Sequence, residues 1–145
     1  MAAPTPVFFS AAPIVYSRQC QRRRTADNPA EIIEEERLIH ELRVYRCVSG
    51  RLPALLKRFE GTTLALWAKH GIRQAGFWTV MVGESNQDLY YLLQWESLAE
   101  REKKWTAFMS DPEWIAKRAE SERDGPIVAT IRNAILQPTT FSSVK

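Results

Sequence analysis

From Leu38 to Val48 the chain alternates apolar and polar side chains, the period of a strand with one face toward a core. Ser49-Gly50 ends that pattern. From Leu52 to Lys69 the apolar residues recur every three or four positions, so Leu52, Leu55, Leu56, Phe59, Leu66 and Trp67 share one helical stripe. Pro53 falls in the first turn, where a missing N–H does no harm, and Gly71 supplies a stop. Gly61 lies mid-helix and weakens it by about 1 kcal/mol relative to Ala. Two further strands are predicted in GFWTVMVG (76–83) and DLYYLLQW (88–95), joined at hairpin length through Glu84-Ser85-Asn86-Gln87.

SLAE, Ser97 to Glu100, is a capping box that starts a second helix with the stripe Leu98, Trp105, Phe108 and Met109. Asp111 then caps a further helix, with Pro112 at its first position and Trp114 and Ile115 on its apolar side. Gly125-Pro126 breaks it, and IVATIRNAIL (127–136) gives the last strand.

The order strand, helix, strand, strand, helix, strand predicts an α+β fold, a ferredoxin-like βαββαβ sandwich. Its four-stranded antiparallel sheet would carry helices on one face only. In the first strand Leu42 and Val44 suit the covered face, which turns Glu41, Arg43 and Tyr45 to the open one. Phe77, Trp78, Tyr90, Tyr91 and Trp95 place large rings on both faces of the middle strands. So much aromatic area on an open sheet predicts a homodimer with the two open faces together.

Composition narrows the classes. The 145 residues are 45% apolar and 26% charged, enough for one domain of residues 38–137 with a short tail, 138–145. No apolar run approaches the roughly 20 residues of a membrane span. A net charge of +3, with acids interleaved among the bases, gives no basic face for nucleic acid. Two cysteines (Cys20, Cys47) and two histidines (His40, His70) make no metal-ligand spacing, and no cofactor motif is present. Cys20 lies in the leader and Cys47 in a strand, which fits a reducing compartment better than a disulfide.

Residues 1–37 read differently. Residues 1–25 hold Arg18, Arg22, Arg23 and Arg24 and no acid, the composition of a mitochondrial transit peptide; the alternative is a tail with chance basic residues in a cytoplasmic protein. EIIEEER (31–37) restores charge balance as a linker.

HELRVYRCVSG, with its E-L-R-x-Y core, the HG at 70–71, GFWTVMVG, QWESLAERE and DPEW together resemble the NIPSNAP family of the dimeric α/β-barrel superfamily. They follow the family's order over roughly residues 40–136. The resemblance implies a homodimer whose two ferredoxin-like units share a barrel, with several family members mitochondrial and others engaged in protein contacts. The wider superfamily includes cofactor-free monooxygenases, cyclases and isomerases. Two functions therefore stand side by side. One is a homodimer that binds a protein partner or small molecule. The other is a cofactor-independent enzyme on a planar or polyketide-like substrate.

Candidate chemistry sits first in the first strand. Arg43 could hold a carboxylate or enolate, Tyr45 could donate to it, and Glu41 could act as a base if burial raised its pKa. The structural alternative, more common at interfaces, is that Glu41 and Arg43 pair to fix register while Tyr45 fills space. Trp78, Tyr91 and Trp95 could line a pocket for a planar ligand, or simply pack the core and the dimer. His70 either meets the dipole at the helix end or shuttles protons at a pocket mouth. Trp67, Trp105 and Trp114 are assigned to the core.

Overall fold

The alternating segment becomes β1 (Ile39–Cys47), the first strand of a computed structural model that describes residues 38–144. The leader and linker proposed for residues 1–37 lie outside the described residues. β1 is followed by α1 (Leu52–Arg58), a π-helical turn (Phe59–Thr63) and α2 (Leu64–Lys69). Then come β2 (Arg73–Thr79), β3 (Asp88–Trp95), α3 (Leu98–Met109), α4 (Pro112–Ser121) and β4 (Val128–Leu136). The sheet order is β2-β3-β1-β4, antiparallel at every junction. This is the ferredoxin-like arrangement, with β1 central and β2 and β4 at the edges.

The faces of the sheet are the reverse of the sequence expectation. β1 pairs with β3 so that Arg43 lies opposite Tyr91 and Tyr45 opposite Leu89. Paired residues share a face. Leu89, Tyr91, Leu93 and Trp95 are fully buried and cluster with Leu55, Phe59, Trp67 and Phe108 of the helices. Glu41, Arg43 and Tyr45 therefore point under the helices, while Leu42 and Val44 share the open face with Tyr90, Leu92 and Trp78. The physical reason lies in β3, whose covered set is wholly apolar whereas the other set includes Gln94. Burying four large side chains outweighs the cost of covering Glu41, Arg43 and Tyr45, which find partners in one another and in Trp95, Arg101 and Asn133.

The long helix is one run interrupted by the π-helical turn. There the Leu64 N–H reaches the Phe59 carbonyl, and the Thr63 hydroxyl donates to the Arg58 carbonyl at 3.2 Å, supplying a partner for that oxygen. Leu55, Phe59, Leu66 and Trp67 are buried on either side of the turn, whereas Leu56, which precedes it, is 39% exposed. The helix ends as expected: Gly71 adopts a positive φ of 67°, and the Ile72 N–H donates back to the Trp67 carbonyl at 2.8 Å.

Two other stretches depart from the expectation. β2 runs from Arg73 to Thr79 with an irregular register between Gln74 and Gly76, and Val80 to Gly83 lie beyond it. Thr79 already pairs with Leu89 near the start of β3, so nothing remains for Met81 and Val82 to pair with, and both are almost wholly exposed. In α3 only Phe108 is buried; Leu98 and Met109 face out, as does Ile115 in α4. Both caps hold. The Ser97 hydroxyl accepts from the Glu100 N–H at 3.1 Å, and the Asp111 carboxylate accepts from the Glu113 N–H at 2.9 Å. Among the described residues no helix is long and apolar enough to cross a membrane.

Candidate functional site

A buried carboxylate organises the covered face. Glu41 is fully buried at the centre of β1 and accepts from five groups. Its Oε1 takes Arg43 Nη1 at 2.7 Å, Arg101 Nη2 at 2.9 Å and Asn133 Nδ2 at 3.2 Å. Its Oε2 takes Arg101 Nε at 3.0 Å and Trp95 Nε1 at 3.2 Å. Burial alone would push this carboxyl up, but the hydrogen bonds from Arg101 and Asn133 and the charge of Arg43 outweigh it and bring it down to about 2. A carboxylate so well satisfied is a weak base. Glu41 instead fixes the arginines beside it.

Arg43 is held from three sides. One terminal nitrogen is bound to Glu41, the other donates to the Tyr45 hydroxyl at 3.2 Å, and the guanidinium lies 4.4 Å from the Trp105 ring centroid. Its Nε is buried and has no partner. The Tyr45 hydroxyl accepts from Arg43 and also lies beside the Tyr91 phenol.

Both residues line a cavity of about 420 Å³ between β1, β4 and the helices. Phe59, Trp67, Trp105, Phe108 and Trp114 supply most of its apolar wall. Arg58 from α1 and Arg118 and Glu122 from the region of α4 supply polar groups, and Val128 to Ile131 of β4 close one side. Arg58 Nη1 donates to Glu122 at 2.9 Å and its guanidinium lies 5.7 Å from the Trp114 centroid. The volume suits a small aromatic molecule, and an aromatic wall with a few converging donors is the usual make-up of a ligand site.

The other candidates fall elsewhere. Tyr91 and Trp95 are fully buried in the core and do not border the cavity; burial pushes the Tyr91 phenol well up. Trp78 is half exposed on the open face, opposite Tyr90, and so cannot share a pocket with them. His70 caps α2, and its Nε2 lies 2.8 Å from Asp111, which also accepts from Lys69 at 2.8 Å. That contact ties α2 to α4, away from the cavity. Hydrogen bonds from Lys69 and His70 hold the Asp111 carboxyl well below the usual range.

Sequence reasoning missed Arg58, Arg118 and Glu122; Trp67 and Trp114 do belong to the core and Trp105 packs against it, as expected, and all three also border the cavity. The signal for Arg58 was available, because it lies three residues beyond Leu55 and beside Phe59 on the apolar stripe, where a charge is out of place. Among the described residues no group of three or more His, Cys, Asp or Glu side chains could hold a metal ion.

The fold and the cavity define a ferredoxin-like α+β protein with a ligand-sized space between its sheet and its helices. The NIPSNAP family profile matches residues 40–143, and the chain belongs to that family. Among solved structures it is similar to a NIPSNAP family protein of unknown function from Agrobacterium tumefaciens. The two share 24% identity over 77% of this chain and 96% of that one, with a TM-score of 0.68. A second A. tumefaciens family member gives 23% identity over 74% and 99% of the two chains, with a TM-score of 0.67. A NIPSNAP-like domain protein from Burkholderia xenovorans gives 22%, 74%, 90% and 0.66 on the same measures. These likenesses establish the fold. No curated protein sequence matches the chain significantly.

Proposed function

We propose that this NIPSNAP family member binds a small planar molecule carrying an acidic or enolisable group in the cavity between sheet and helices. The observation that carries this reading is the 420 Å³ space walled by tryptophan and phenylalanine rings, with Arg43 and Tyr45 on its sheet side. The rings give stacking area; Arg43, fixed by Glu41 and Trp105, gives a positioned cation for an anion. Tyr45 adds a hydroxyl group.

Trp67, Trp105 and Trp114 border the cavity, so tryptophan fluorescence reports on its occupancy. Titration of the full chain with naphthoate is expected to quench saturably, and Arg43→Gln to weaken binding by about tenfold or more. Tyr45→Phe tests the same wall with the charge retained and should weaken it less. Non-saturable quenching, or equal affinity in Arg43→Gln, would contradict the proposal.

A second reading is favoured by one detail, the Tyr45 hydroxyl beside the Arg43 cation. That pair would stabilise an enolate formed by loss of the α-proton to a solvent water, as a cofactor-independent isomerase or cyclase requires. Deuterium exchange at the α-carbon of an aromatic ketone, faster with the protein than with Tyr45→Phe, would support it.

A homodimer joined through the open face, where Trp78, Tyr90 and Leu92 lie, belongs to the same proposal, and sedimentation at micromolar concentration tests it. The basic, acid-free leader supports a mitochondrial address, which N-terminal sequencing of organelle-derived protein would check.

A further inference from the structure

Buried polar atoms almost always find partners, so those that lack one point to what is missing. Among the described residues, five buried side-chain polar atoms have none. Three of the five, Arg43 Nε, Arg58 Nε and Trp67 Nε1, belong to residues that line the cavity. All three residues are more than nine-tenths buried, at 7%, 8% and 2% exposure. All three atoms are donors only. These three nitrogens are themselves covered, so a ligand rich in acceptors would meet the terminal groups of Arg43 and Arg58, each of which already holds one carboxylate.

Charge agrees. Arg43, Arg58, Arg101 and Arg118 face Glu41 and Glu122 in the wall and its ion pairs, which leaves two positive charges in excess. The two buried arginines are also separated in space. Arg43 rises from the sheet and stacks on Trp105 of α3, whereas Arg58 descends from α1 and stacks on Trp114 of α4. Phe108 sits between the two stacks, its centroid 5.6 Å from Trp105 and 4.6 Å from Trp114.

Resting on the reading of this cavity as a ligand site, we infer that its ligand is a dianion with two separate acidic groups at opposite ends of an aromatic core, one for Arg43 and one for Arg58. Phe108 and the two tryptophans take the core of the ligand. Arg58 is the residue that distinguishes a diacid from a monoacid. A single doubly charged group, such as a phosphate ester, would satisfy the net charge but would reach only one of the two stacks.

Calorimetric titration of the full chain with naphthoate, a naphthalenedicarboxylate with its acids at opposite ends, one with adjacent acids, and naphthyl phosphate tests this. The opposite-ended diacid is expected to bind about tenfold or more tightly than naphthoate. Arg58→Gln should weaken the opposite-ended diacid by about tenfold or more and naphthoate by much less, which removes that advantage. Equal affinity of diacid and monoacid for the unaltered protein would overturn this inference alone, as would tightest binding by the adjacent diacid or by naphthyl phosphate. Failure of every probe to bind would overturn the ligand site itself and this inference with it. The comparison among probes on the unaltered protein stands whether or not the Arg58 variant folds.

Discussion

Replacing Glu41 by Gln removes one negative charge from a fully buried position and leaves Arg43 and Arg101 without it. Two routes give the size of the effect. The carboxyl is lowered from an ordinary 4.5 to about 2, a difference that corresponds to about 3 kcal/mol of native-state stabilisation at neutral pH. Breaking a buried ion pair costs about 3–5 kcal/mol, and the amide oxygen still accepts from one donor, which points to the lower end. The variant should therefore be about 3 kcal/mol less stable at pH 7 by urea unfolding followed through tryptophan fluorescence.

The pH dependence makes the test sharper. The folded pKa lies below the unfolded one, so the contribution is complete above about pH 4.5 and falls away as the pH drops toward 2. The gap between the two proteins should close to about 1 kcal/mol near pH 2.5. Other acids titrate in both proteins and cancel in the difference. A gap below about 0.5 kcal/mol at pH 7 would mean that the buried carboxylate does not hold the fold together, because such values are ordinary for surface substitutions. So would a gap that stays constant down to pH 2.5.

Gly61→Ala should raise stability by about 0.5–1 kcal/mol in the same assay, since Gly61 is exposed in the helical run and an added Cβ meets nothing within 4 Å. Destabilisation would mean that the π-helical turn needs the glycine. If two chains pair through the open face as proposed, Trp78→Glu should sediment as a folded monomer, because it puts a charge in place of the exposed aromatic there. A dimer that persists unchanged would place the interface elsewhere.

Element order, both helix caps and the last strand were legible, because each depends on local chemistry: alternation, Ser97 with Glu100, Asp111 with Pro112. The identity of the covered face was not, since β1 carries polar residues on both sides and its own pattern is ambiguous. β3 held the answer, because Gln94 interrupts one set and nothing interrupts Leu89, Tyr91, Leu93 and Trp95. Glu41, Arg43 and Tyr45 stood out as a group, and they are one in the structure. The cavity itself was hidden. It is formed where α1, α3, α4 and β4 meet, and a distance between elements far apart in sequence leaves no local trace.

The most direct test of the central claim is a crystal structure of the full chain grown with naphthoate. Ring density is expected in the cavity beside Phe108 and the tryptophans, with the acid on Arg43. A cavity closed by its own side chains, or naphthoate bound only on the outer surface, would contradict it.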